Sequence, residues 1–139
     1  MAGENLIHSG DYSARRYAEF FNSLPVPLFR TTIEGKIVYC NHALASLLGF
    51  DSAVDLIDYP VIEFYQNKKD RGHIIHTVIQ TGGVFDLPVA LYKKDGTPIW
   101  CAISAKAIFD DDGNAIYLDG VLKEITPEID SDIEVHRIE

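Results

Sequence analysis

Three strand-like runs in series, divided by two glycine turns, constrain this chain more than any other feature. Residues 84–92, 98–109 and 115–126 each alternate apolar and polar side chains over much of their length. That is the period-two pattern of a strand with one buried face. Lys94-Asp95-Gly96 separates the first two runs, and Asp110-Asp111-Asp112-Gly113-Asn114 separates the last two. Asp and Gly suit such turns because Asp bonds to nearby backbone and Gly accepts positive φ. The three runs predict an antiparallel meander, whose apolar face needs a second layer to cover it.

The covering layer is legible upstream. Leu28-Phe29-Arg30-Thr31-Thr32 and Ile37-Val38-Tyr39-Cys40 flank a tight turn at Ile33-Glu34-Gly35-Lys36 and predict a hairpin. Residues 41–48 read as a short helix stopped by Gly49, and Asp51 or Ser52 caps a further turn through Ile57. Residues 59–67 read as irregular. Residues 70–80 place Ile74, Ile75, Val78 and Ile79 on one helical face and end at Thr81-Gly82-Gly83.

Ahead of the hairpin, residues 1–10 read as loosely ordered, and a helix is expected to start near Asp11, with Asp11 or Ser13 as its cap. It sets Tyr17, Phe20, Phe21 and Leu24 at i, i+3, i+4 and i+7, and Pro25 and Pro27 end it. The element order predicts an α+β fold: a five-stranded antiparallel sheet, short helices on one face and an N-terminal flanking helix. The expected division is a flanking helix over 1–19, the domain over 20–126 and an acidic C-terminal linker over 127–139.

Composition narrows the class of function. A length of 139 residues suits one domain with a modest core. A net charge of −9 argues against nucleic-acid binding, which needs clustered Lys and Arg. Lys68, Lys69 and Arg71 form the one basic cluster, read as a solvated start to a helix. Cys40 and Cys101 sit in apolar strand runs without a CxxC motif, as expected of buried thiols in a reducing compartment.

No run approaches the roughly 20 apolar residues that cross a membrane. The expected location is therefore cytoplasmic, in a parent that membrane anchoring elsewhere would not contradict. No Ser/His/Asp order, P-loop or dinucleotide fingerprint occurs, and most Asp residues fall in turns, so the domain itself is expected not to be an enzyme.

Four motifs, in order and at matching spacing, resemble the PAS domain family over about residues 20–126. Gly35-Lys36-Ile37-Val38-Tyr39-Cys40-Asn41 is similar to the family's G-x-I-x-Y-x-N strand, with His42 where Pro is common. Leu48-Gly49-Phe50 resembles the end of the next helix, and Lys94-Asp95-Gly96-Thr97-Pro98-Ile99-Trp100 resembles the K-D-G-x-x-x-W hairpin. The run from Gly120 to Thr126 resembles the last strand, with Glu124 in place of the family's Asp.

The resemblance implies a sensory or regulatory module of a larger bacterial signalling protein, such as a histidine kinase or a diguanylate cyclase. The helix-facing side of the sheet would line a pocket formed by Leu87, Val89, Leu91, Cys101, Ile103, Ala105, Leu118, Gly120 and Leu122. Tyr39, Leu56, Ile75, Val78 and Ile79 would close it. This apolar lining fits a small apolar ligand or a packed core, and Ala105 and Gly120 are expected to leave room. The opposite face, with Trp100 and Val121, is expected to be covered by the Tyr17/Phe20/Phe21/Leu24 stripe, by a second subunit in a homodimer, or by both. Glu124 and Thr126 would couple the domain to an output domain in the same parent chain.

The cofactor is left unknown. A flavin is not expected, because residues 59–70 contain no Cys. Haem would use His73 or His76, although one helical step turns a side chain by about 100° from the family's position. The His pair has no evident third ligand, so no metal is expected. For a small carboxylate, the basic strand residues are Arg30 and Lys106, and alternation turns Lys106 outward. The alternative function is a ligand-free dimerisation and docking module.

Overall fold

The computed structural model describes the backbone of residues 2–125 and the side chains of residues 13–125. In chain order it contains α1 (Ala2–Ser23), β1 (Leu28–Thr32), β2 (Ile37–Cys40) and α2 (His42–Leu48). Two short 3-10 turns follow, Ala53–Leu56 and Val61–Phe64, then α3 (Lys69–Thr81), β3 (Gly83–Tyr92), β4 (Pro98–Phe109) and β5 (Ala115–Glu124). The α+β architecture expected from the sequence is the one observed.

The strands form one antiparallel sheet in the order β2-β1-β5-β4-β3. The last strand in the chain therefore lies at the centre, joining the N-terminal hairpin to the meander. Turn chemistry fixes the hairpins. Thr32 Oγ1 accepts from the N–H of Gly35 at 3.2 Å and of Lys36 at 3.1 Å, and Gly35 takes φ 108°. Asp95 Oδ1 accepts from the Thr97 N–H at 2.9 Å, and hydrogen bonds from the Thr97 side chain first and this N–H second hold its carboxyl below the usual range. Asp110 Oδ1 accepts from both Asp112 and Asn114. These aspartates serve turn geometry.

α1 begins at Ala2, well before the expected start near Asp11. Residues 2–10 contain no proline, and Gly3 and Gly10 disfavour a helix by only about 1 kcal/mol each. The core lies between the sheet's inner face and the helices. Leu44, Leu48, Leu56, Ile74 and Val78 pack there against Val89, Cys101, Ile103 and Leu118, all buried. Register pairs Val89 with Cys101 and Ile103 with Leu122 across neighbouring strands.

Two expectations about this interface change. The buried line of α3 is Arg71, Ile74 and Val78, while Ile75 is half-buried and Ile79 exposed. The room expected beside Gly120 is filled. A Cβ there would lie 2.7 Å from Phe29 Cζ, 2.7 Å from the Ser104 carbonyl oxygen and 2.9 Å from Ala105 Cβ. Glycine on β5 lets the Phe29 ring of the adjacent strand lie across the sheet.

Candidate functional site: an interior cavity and an open outer face

Inward-facing side chains from the sheet, α2, α3 and the second 3-10 turn line a small, partly open cavity of about 50 Å³ beneath the sheet. Phe29, Thr31 and Ile37 come from the hairpin, Leu44 and Leu48 from α2, and Val61, Phe64 and Tyr65 from the second 3-10 turn and the residue after it. Arg71 comes from α3, and Val89, Leu91, Ile103 and Leu122 from the meander. The last four are the members of the sequence-derived pocket set that line the cavity.

The rest of that set lies elsewhere. Leu56, Val78, Cys101, Ala105 and Leu118 are buried in the surrounding core. Ile75 packs partly buried at its edge, and Gly120 lies under Phe29. Tyr39, Leu87 and Ile79 are exposed. For Leu87 the cause is a register break between Val84 and Leu87 on the edge strand β3. Tyr39 pairs with Arg30 on the other face.

Arg71 is the main correction to the sequence reading. Lys68 and Lys69 are exposed, as a solvated cluster should be, but Arg71 is only 8% exposed. Its Nη2 donates to Thr31 Oγ1 at 3.2 Å and to the carbonyl oxygens of Thr32 at 3.0 Å and Ile33 at 3.5 Å. Its Nε is buried without a hydrogen-bond partner. Burial pushes the Tyr65 phenol up, and the neighbouring Arg71 guanidinium partly offsets this. Arg30 and Asp119 form a salt bridge, and no salt bridge joins Arg71 to a carboxylate among the described residues. Helical phase carried the signal: Arg71, Ile74 and Val78 fall at i, i+3 and i+7.

Asn41 is a second residue whose role sequence reading did not find. It is fully buried. Its Oδ1 accepts from the N–H of Leu28 at 3.0 Å and of Leu44 at 3.1 Å. Its Nδ2 donates to the carbonyl oxygens of Phe21 at 2.9 Å and Val26 at 2.8 Å. This one amide caps α2, anchors β1 and holds the end of α1, using all four of its hydrogen-bonding positions.

The opposite face is open. A groove of about 820 Å³ runs between the end of α1 and the sheet, bounded by Ala18, Phe21, Tyr39, Phe85 and Val121 among others. Phe21 meets Tyr39 edge-on at 6.3 Å. Tyr17 and Phe20 are exposed, and Leu24, Trp100 and Val121 are half-buried. Arg30 forms a bidentate pair with Asp119 at 2.7 and 2.8 Å, and its guanidinium lies 4.6 Å from the centre of the Tyr117 ring. Lys106 is exposed.

His73 and His76 are exposed on α3 and do not line the cavity. Among the described residues no group of three His, Cys, Asp or Glu is placed to hold a metal. Both cysteines are free and buried, and burial pushes the Cys40 thiol up to about 11 and the Cys101 thiol up to about 12. Such thiols are protonated and unreactive at neutral pH. Glu124 is exposed at the end of β5, and Thr126 lies outside the described residues. No helix among the described residues is long and apolar enough to cross a membrane.

A sheet with helices over one face, a small cavity between them and a groove on the other face define a compact sensory module. Residues 25–127 match the family model of the PAS domain. The chain belongs to the PAS domain family. Sporulation kinase C of Bacillus subtilis is 28% identical over 112 residues, which are 80% of this chain and 26% of that protein. The chain thus spans about a quarter of that relative's length.

Among solved structures, the PAS domain of a Colwellia psychrerythraea protein superposes with a TM-score of 0.70 at 20% identity, covering 81% of this chain and 97% of that one. The PAS domain of a LuxR-family transcriptional regulator from Burkholderia thailandensis, solved in complex with ethanol, gives 0.64 at 19% identity, covering 78% and 96%.

Proposed function

We propose that this PAS domain is the sensor of a longer bacterial signalling chain, and that a small molecule in the interior cavity is its signal. The observation that carries this reading is the cavity itself, whose walls come from α2, α3, the second 3-10 turn and all five strands. A ligand there touches every layer at once. Occupancy would shift the population of the whole domain between two packings. The ethanol complex of a similarly folded domain supports a ligand of this scale.

Output leaves through the two chain ends. β5 is the central strand and ends beside the exposed Glu124, ahead of the proposed linker over 127–139. Asn41 ties α1 to the hairpin and α2. The likeness to Sporulation kinase C supports a histidine kinase as the output in the same parent chain, with the domain on the cytoplasmic side. A parallel homodimer through α1 and the outer face suits that arrangement.

Native and denaturing mass spectrometry of the freshly purified chain test the reading. An added mass that is lost on denaturation is the expected result. A bare mass that stays bare after incubation with small acids, amides and alcohols would overturn it. A bare dimer would favour the second reading, a ligand-free docking module, for which the groove of about 820 Å³ speaks.

A further inference from the structure

We propose that the Asp112–Gly113 step in the β4–β5 turn is a site of spontaneous backbone modification, at which the aspartate passes through a cyclic imide to an isoaspartyl linkage. The inference stands apart from both the cavity and the groove. The chemistry needs a carboxyl followed by an unhindered amide, and glycine, with no side chain, hinders its own amide least. The sequence has no Asn–Gly step and three Asp–Gly steps, at 95–96, 112–113 and 119–120. The fold treats the three differently.

The reaction balances on water. The Gly113 nitrogen attacks Asp112 Cγ, a C–N bond forms, and the acid's hydroxyl leaves with the amide proton as water. Water then re-enters at one of the two imide carbonyls. Opening at Cγ restores aspartate. Opening at the backbone carbonyl leaves the chain running through Cγ, one carbon longer. The carboxyl must be protonated to lose water, so any interaction that holds it as a carboxylate protects the step.

Asp119 is paired with Arg30 at 2.7 and 2.8 Å, and Gly120 lies in the central strand opposite Phe29 and Ala105, so neither group is free to close a ring. Asp95 is exposed, but its Oδ1 accepts from the Thr97 N–H at 2.9 Å, and bonds from Thr97, side chain first, hold its carboxyl below the usual range. Asp112 is exposed, and its carboxylate has no hydrogen-bond or ion-pair partner among the described residues. The turn-closing bonds do not separate these two exposed steps. The Gly96 N–H donates to the Lys93 carbonyl oxygen at 2.9 Å, and the Gly113 N–H to the Asp110 carbonyl oxygen at 3.1 Å. The state of the carboxyl does separate them. The fold also has room for the product, because the turn lies beyond the last ladder pair, Phe109 with Ala115, where the register already shifts.

The experiment incubates the intact 139-residue chain, folded and in urea, at about pH 5, where an ordinary aspartate carboxyl is about a tenth protonated. Peptide mapping with electron-transfer fragmentation then tells isoaspartate from aspartate at each step. In the folded chain isoaspartate is expected at Asp112, about ten-fold above Asp95 and Asp119. In urea the three steps are expected to react within a few-fold of one another. Asp112→Glu, whose ring would need one more atom, is expected to silence that step and leave the fold intact. Thr97→Val is expected to raise the product at Asp95 toward that at Asp112. Absence of isoaspartate at Asp112 in the folded chain, whatever the urea sample shows, would overturn the proposal, as would equal amounts at the three steps. An unchanged Asp95 in Thr97→Val would overturn carboxyl bonding as what separates the two turns.

Discussion

Two arginines on opposite faces of one sheet show what placement does to the same side chain. Arg30 lies on the outer face, with its side chain 39% exposed, and holds Asp119 through two short hydrogen bonds. Water solvates both partners, so the pair contributes little to stability. Arg71 lies on the inner side, almost fully buried, with its charge unmatched by any described carboxylate. The better-looking pair therefore matters less to stability than the buried arginine's contacts. Inside the fold that charge rests on protein oxygens alone, the Thr31 hydroxyl and the Thr32 and Ile33 carbonyls, so losing any of them costs more there than at the surface.

The inner face is also the less forgiving one, which gives the largest expected effect. Gly120→Leu puts a side chain where the Ser104 carbonyl oxygen and Ala105 Cβ stand at 2.7 and 2.9 Å from an ideal Cβ. Neither atom can swing away as a side-chain tip would, so strands or the Phe29 ring must move. The expected loss is about 3 kcal/mol, at the upper end of the usual overpacking cost, read from the urea unfolding midpoint. A variant as stable as the parent would mean that free space does exist beside β5, and would restore the pocket expected there from the sequence.

That expectation shows where sequence reasoning stops. Gly35, Gly96 and Gly113 all take positive φ, and the turns they mark divide the chain into its hairpins. Alternation sorts strand residues into two faces and the PAS resemblance says which one turns inward, so Val89, Leu91, Ile103 and Leu122 are legible. It could not tell how deep a residue lies, and so it ranked Leu87 with Val89 although a register break leaves Leu87 exposed. The hairpin and α2 side of the cavity (Phe29, Thr31, Leu44 and Leu48) was missed because the strand order that brings β1 against β5 is not written in any local pattern. Arg71 was missed for a different reason. Read with Lys68 and Lys69 it is one of three charges, but read by helical phase it continues the line of Ile74 and Val78. Phase was the better guide.

An effect of comparable size, spread over more than a pH unit and about half as large for either thiol alone, follows from the buried thiols. Cys40 and Cys101 ionise near 9.0 when unfolded, but burial pushes them up to about 11 and about 12 in the fold. Above pH 9 the unfolded chain therefore releases protons that the folded chain keeps, so stability falls as pH rises. The loss begins near pH 9 and continues to the folded values, at up to about 1.4 kcal/mol per pH unit for each thiol. Unfolding curves between pH 8 and about 10.5 test this, with Cys101→Ala expected to flatten the slope. An unchanged slope in that variant would show that Cys101 is not shielded by the inner face.

The smallest effect belongs to the outer arginine, and it closes the comparison. Arg30→Met removes a bidentate pair at 2.7 and 2.8 Å that any inspection would rank as strong. It also leaves Asp119 at the surface, where its side chain is 35% exposed and water can take over the lost bonds. The methionine retains much of the aliphatic contact along β1. The expected loss is about 0.5 kcal/mol, smaller still at high salt, and a double-mutant cycle with Asp119→Asn should give a coupling below about 1 kcal/mol. A coupling of several kcal/mol would mean that this face is dry in solution. A second copy or another partner would then cover the groove, and the outer arginine would have to be counted as buried like the inner one.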